Sequence, residues 1–193
     1  MTDNKRPKTV IGIDEVGRGA WAGPLLVVAA RLTGELPQGL MDSKQLSKQK
    51  RETIFRLLPS SFHFGEGWVE PGEIDELGLS GAMRVAVARA LLALGATFEE
   101  RIIMDGNVNY CPAEFTAVEV IPKADDSHAE VSAASIYAKV ARDKHMVRAA
   151  RFYPFYGFER HVGYGTAVHK SALKVHGISK LHRKSYKPVA AFA

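Results

Sequence analysis

A chain of 193 residues, 46% hydrophobic and 24% charged, suits one globular domain, or one with a modest appendage, and needs no staple to hold a core. Its single cysteine, Cys111, excludes an internal disulfide, and one cysteine among seven histidines matches no structural zinc pattern. The net charge of +5 is uneven: residues 139–188 carry twelve basic and two acidic side chains, a net of +10, so the remainder sums to −5, as for a catalytic body joined to a part that holds a polyanion.

Residues 1–8 are charged, lack an apolar core, and read as a disordered leader rather than a signal peptide. No run approaches about 18 uninterrupted apolar residues, so no membrane span is expected and a cytoplasmic location follows. Residues 9–14 and 25–30 are apolar runs that predict two buried strands, separated by the Gly23-Pro24 turn signal. Ser47 can cap a helix over 48–58, stopped by Pro59. Residues 62–69 partly alternate and predict a third strand. A helical region starts at Pro71, with Met83, Val87, Ala90, Leu91 and Leu94 at steps of three and four, and ends at Gly95. Residues 101–105 and 116–121 predict two more strands, and 131–151 a long helix striped by Ala133, Ile136, Val140 and Val147. Shorter helical pieces are expected at 166–176 and 179–184. The pattern predicts a mixed α/β sheet with helices extending past its end, the whole of 9–193 forming one domain.

Acids stand at the ends of three of these strands. Asp14-Glu15 runs out into Val16-Gly17-Arg18-Gly19, Asp105 precedes Gly106, and Asp125-Asp126 follow the fifth strand. Ligand sites in open α/β sheets lie at such ends. Gathered carboxylates repel one another, and a hard divalent cation such as Mg²⁺ removes that penalty while leaving coordination sites for a phosphate. Two such ions can drive an in-line displacement at phosphorus. Asp42, Asp75 and Asp143 lack this setting and read as structural, and the histidines as helix-surface or cap residues.

Six blocks in order carry a family resemblance: Ile13-Asp-Glu-Val-Gly-Arg-Gly19, Asp42-Ser-Lys-Gln-Leu46, Asp105-Gly-Asn107, Lys123-Ala-Asp125, Ser132-Ala-Ala-Ser-Ile-Tyr-Ala-Lys-Val-Ala-Arg-Asp143 and His161-Val-Gly-Tyr-Gly-Thr166. The chain resembles ribonuclease HII, the type 2 ribonuclease H family, over roughly residues 9–187. The resemblance implies a ribonuclease H-like five-stranded mixed sheet flanked by helices, with about 152–193 as a basic, helical, substrate-binding extension. It implies two Mg²⁺ or Mn²⁺ ions held by Asp14, Glu15, Asp105 and Asp125, the last chosen over Asp126 by its distance from the Ser132 block. The implied reaction is endonucleolytic cleavage of RNA in RNA–DNA hybrids and 5′ of single ribonucleotides embedded in duplex DNA, giving 5′-phosphate and 3′-hydroxyl ends. Gly17, Arg18 and Gly19 would sense the ribose 2′-hydroxyl, Tyr164 would pack on the adjoining sugar, and Ser43 and Lys44 would contact phosphate. Such a hydroxyl is what separates RNA from DNA. Two positions depart from the family: Ala20-Trp21 replaces a proline and a small apolar residue, and Val162 replaces a common lysine; Trp21 is expected to pack.

Lys180, Arg183 and Lys184 are expected to grip the duplex backbone, and the protein to act as a monomer on nucleic acid. A nucleic-acid-binding protein with purely structural acids is the competing reading, and the intact acid set argues against it. The related ribonuclease HIII family usually carries an extra N-terminal domain, whereas only about eight residues precede the first strand here.

Overall fold

The computed structural model describes residues 9–40 and 47–192. Strands β1 (Val10–Val16), β2 (Leu25–Leu32) and β3 (Phe62–Val69) are consecutive antiparallel neighbours. Strands β4 (Arg101–Asp105) and β5 (Val118–Ile121) add to the other side of β1, both parallel to it. The order is therefore β3-β2-β1-β4-β5, the mixed five-stranded sheet that the sequence predicts.

Helices cover both faces. Helix α2 (Pro71–Leu94) lies on one, burying Met83, Ala86, Val87 and Ala90 against Ile11, Ile13, Val27 and Met104. Although α2 is long and apolar enough by composition to cross a bilayer, its apolar stripe is taken by the sheet. It starts on a Glu70/Glu73 capping box and bends at Gly78, whose φ of 67° no helix accommodates. On the other face lie α1 (Lys48–Leu57) and α3 (Ala129–Ala150), which pack on Leu26, Val28 and Ala30. Coverage on both sides explains why β2 is an unbroken apolar run instead of an alternating one. Ser47 caps α1 as expected, its hydroxyl accepting from the amide of Lys50.

The close fit of α3 depends on Gly12. A Cβ there would stand 2.2 Å from the carbonyl carbon of Glu130, so the first turn of α3 rests directly on the β1 backbone.

Beyond α3 come α4 (Phe158–His161) and α5 (Ala167–His176), gathered around Met146, Tyr156, Phe158 and Leu173, and then α6 (Lys187–Ala190), which buries Val189. Thr166 caps α5. The expected helix over 179–184 does not form. Ser179 binds the ring of His182 through both its amide and its hydroxyl, and His182 pairs with Ala22 in an isolated bridge. The local Ser179–His182 bonds and the bridge to Ala22 hold this segment in a non-helical path.

Candidate active site

The register of the parallel strands builds the acidic centre. Ile13 of β1 pairs with Met104 of β4, so Asp14 and Asp105 are the next row. Neighbours in one row of a sheet project to the same face. That face carries α3: Gly12 touches Glu130, and Ile103 packs with Val131 and Ala124. The Asp14 carboxylate accepts from the amide of Glu15 at 2.7 Å and from the side chain of Ser135 on α3.

Asp125 arrives differently. Lys123 takes a left-handed conformation (φ 60°), which starts a tight turn over Ala124–Asp126. The turn sends the amide of Ala124 onto Asp105 Oδ1 at 2.8 Å and buries Asp125, leaving Asp126 exposed. Asp125 and Glu15 line one cavity of about 270 Å³ together with Arg51, Ser135 and Lys139. The four sequence-predicted acids therefore share one end of the sheet.

Burial, reinforced by the nearby charges of Glu15 and Asp105, pushes the Asp14 carboxyl up to about 8. Burial also raises Glu15, against the opposing pull of Arg18, whose guanidinium stands 3.6 Å away. Asp14 is buried among like charges, and the donors gathered here are the hard carboxylate oxygens that a divalent cation prefers, so the residues fit such an ion. As the side chains lie, no three metal-ligating groups among the described residues are gathered into a ready ligand set. Asp14 and Asp105 are engaged with backbone amides and would exchange those bonds for an ion.

Gly17 is buried with φ 88°, Arg18 and Gly19 are exposed, and Arg18 also reaches the Tyr110 hydroxyl at 3.4 Å. The loop 17–23 meets the segment of Tyr164 through the amides of Trp21 and Ala22, which both donate to the carbonyl of Gly163. Trp21 packs, its ring 5.5 Å from that of His169. Ser43 and Lys44 lie outside the described residues, as do Asp42 and the leader 1–8. Asp75 is structural: it accepts the amides of Lys184 and Ser185.

Two expectations are corrected. Arg183 is fully buried, bonding the carbonyls of Gly23 and Arg18, and cannot grip a duplex; Lys180 and Lys184 are exposed. His161, His169 and His182 are buried too, not at the surface. The amide of Ser179 donates to His182 Nδ1, which leaves His182 Nε2 to donate to His169 Nε2 at 3.0 Å. His169 Nδ1 then donates to the carbonyl of Tyr164 at 2.9 Å. The chain closes only if both rings are neutral, and burial pushes each down to about 4. Sequence spacing gave no sign of this arrangement. Nor did it mark Arg51, which lines the acidic cavity and also an adjoining groove of about 300 Å³ with Lys48, Lys144, Arg148 and Arg151.

The family model described as ribonuclease HII matches residues 11–189. A ribonuclease HII from Campylobacter concisus is 47% identical over 178 residues, covering 92% of each chain. One from Marinomonas sp. is 43% identical over 180 residues, 92% of this chain and 89% of that one. Among solved structures, the RNase HII from Archaeoglobus fulgidus, in its PCNA complex, superposes with a TM-score of 0.77 at 25% identity, covering 93% of this chain and 95% of that one. The ribonuclease H2 from Pyrococcus horikoshii gives 0.73 at 26%, covering 95% and 96%.

Proposed function

The chain belongs to the ribonuclease HII family, and on that premise we propose that it cuts 5′ of single ribonucleotides embedded in duplex DNA, as well as the RNA strand of RNA–DNA hybrids. Membership makes it a ribonuclease H-type endonuclease, a divalent-metal-dependent hydrolase that acts on nucleic acid. The observation that carries the finer reading is the row shared by Asp14 and Asp105, with Glu15 and Asp125 across one cavity.

Asp14 and Asp105 would hold Mg²⁺ or Mn²⁺ and orient the attacking water, with Glu15 and Asp125 completing the ligand set. Two bound ions would supply the charge that activates water and stabilises the leaving oxygen. The protein's share is positioning. Ser135 fixes one carboxylate and the amide of Ala124 the other. Lys139 and Arg51 place positive charge beside the acids where substrate phosphates would enter. Gly17, Arg18 and Gly19 would meet the ribose hydroxyl, with Tyr164 against the adjoining sugar. Ser43 and Lys44 would take a flanking phosphate. Cleavage then leaves a 5′-phosphate and a 3′-hydroxyl.

Residues 9–193 would act as one domain, a cytoplasmic monomer in which 152–193 serves substrate binding through its exposed lysines. The test uses three matched duplexes: all DNA, one ribonucleotide, and a long RNA tract. Metal-dependent cleavage of the second and third supports the reading. Salt-sensitive binding without cleavage would favour a binding protein with structural acids.

A further inference from the structure

Arg142 on α3 and Arg183 near the C-terminus are both fully buried, and neither forms an ion pair with a carboxylate among the described residues. Burying an unpaired guanidinium is costly, so its hydrogen bonds have to compensate. Their hydrogen bonds converge on one part of the molecule. Arg142 donates from Nε to the carbonyl of Pro24 at 2.7 Å, from Nη2 to Ala22 at 3.0 Å and from Nη1 to Val162 at 2.9 Å. Arg183 donates from Nε and Nη2 to the carbonyl of Gly23 at 3.0 and 2.8 Å, and from Nη1 to that of Arg18 at 3.1 Å. Tyr186, which accepts from Arg183 Nη1 at 2.9 Å, donates its hydroxyl to the same Arg18 carbonyl at 2.6 Å.

The two forks thus pull the carbonyls of residues 18 and 22–24 inward from two different segments. Arg142 does more. Its guanidinium lies 5.6 Å from the ring centroid of Tyr164, and a Cβ on Gly17 would stand 2.2 Å from its Nε. One side chain therefore touches the glycine loop, the turn after it, and Tyr164.

We infer that Arg142 and Arg183 are positioning residues for ribose recognition: two buried cationic forks that fix the loop 17–24 against Tyr164 and so set how well a ribonucleotide is told from a deoxyribonucleotide. The inference rests on the proposed roles of Gly17, Arg18, Gly19 and Tyr164. A hydrogen-bonding site rejects a substrate lacking one hydroxyl only if its groups are held in place. Lysine keeps the charge but offers a single point of donation, and cannot bridge three carbonyls in fixed directions.

The test measures affinity for one duplex with and without a single ribonucleotide, by fluorescence anisotropy in Ca²⁺, with a gel to verify that the duplex stays intact. The readout is the ratio of the two affinities in Arg142→Lys, Arg183→Lys, Tyr186→Phe and Tyr164→Ala. The lysine variants are expected to lower the ratio about tenfold, leaving all-DNA affinity within about twofold. Tyr186→Phe, which removes one hydroxyl from a partly exposed ring, should lower it about threefold. A wild-type ratio near one, or an unchanged ratio in Tyr164→Ala, defeats the ribose-sensing reading itself. If Tyr164→Ala loses discrimination while the arginine variants keep it, only the positioning role is overturned. Equal loss of both affinities, tracking a lowered Tm, is the signature of a merely structural role and overturns it too. Should both lysine variants fail to fold, Tyr186→Phe decides alone, and an unchanged ratio rejects the inference.

Discussion

Acidification should release the C-terminal layer through His169 and His182. Their hydrogen-bond chain runs from the amide of Ser179 to the carbonyl of Tyr164 and requires both rings neutral. Each sits at about 4 in the fold, against roughly 6.5 in the unfolded chain. The folded values are depressed, so between these limits the unfolded chain binds more protons. The stability contribution is therefore complete above about pH 6.5 and is lost as the pH falls towards 4. Each histidine then accounts for about 3 kcal/mol over that window, and the coupled pair for on the order of 5. The slope near pH 5 would be about 2 kcal/mol per pH unit, a large share of the 5–15 kcal/mol of a typical domain. Asp14, held up at about 8, contributes with the opposite sign, gaining stability as the pH falls from 8 towards 4. Glu15, also raised by burial, adds to that opposing trend, so the background that removes it is the double variant Asp14→Asn, Glu15→Gln. Urea melts at pH 7, 6, 5 and 4.5, with NMR titration of the imidazoles, measure both quantities. Two ring midpoints near 6.5, or an unfolding free energy flat from pH 7 to 5 in that background, would refute the neutral relay.

Asp105→Asn should abolish cleavage of the one-ribonucleotide duplex at any practical Mg²⁺ level with little change in folding; near-normal turnover would remove Asp105 from the centre. Asp14→Asn should likewise be inactive, yet without metal it should melt a few degrees higher, because it removes a buried carboxylate crowded by like charge; a lower Tm would contradict that electrostatic account. Gly12→Ala should cost about 2 kcal/mol or more, since its methyl would stand 2.2 Å from the Glu130 carbonyl carbon, and a thermal melt within one degree of wild type would show that α3 can retreat freely. Neutralising the exposed Lys180 and Lys184 together should raise KM and reduce the logarithmic salt slope by roughly 2, whereas unchanged binding at low salt would take them off the duplex path.

The strands were legible as short apolar runs, most of them closed by Asp or Pro, although β1 and β2 run two residues beyond the expected ends at 14 and 30. Residues 62–69 and 101–105 match β3 and β4 residue for residue, while β5 begins two residues later than expected because its first pairing is Val118 with Ile102. The acids could be read as strand ends, yet their convergence depends on β1, β4 and β5 being parallel neighbours, a property of the sheet that no local window contains. The basic tail misled for a physical reason. A lysine and an arginine look alike in a charge count, but Lys184 faces solvent while Arg183 satisfies buried carbonyls. The histidines at 161, 169 and 182 meet only because the chain folds back twice, so no spacing rule could have paired them.

Helix α3 links the acidic centre to the loop beside it. Ser135 holds Asp14, and Arg142, seven residues on, holds the turn at Ala22 and Pro24. Seven residues are two turns, so both side chains leave the same face about 10 Å apart. That stretch serves as a gauge block: it can accept many substitutions on its outer side, but not a change of length. One inserted or deleted residue would swing Arg142 round by about 100° and leave intact acids beside a loop set in the wrong place. Length variation in this protein should therefore collect in the connections around the sheet and be absent between Ser135 and Arg142.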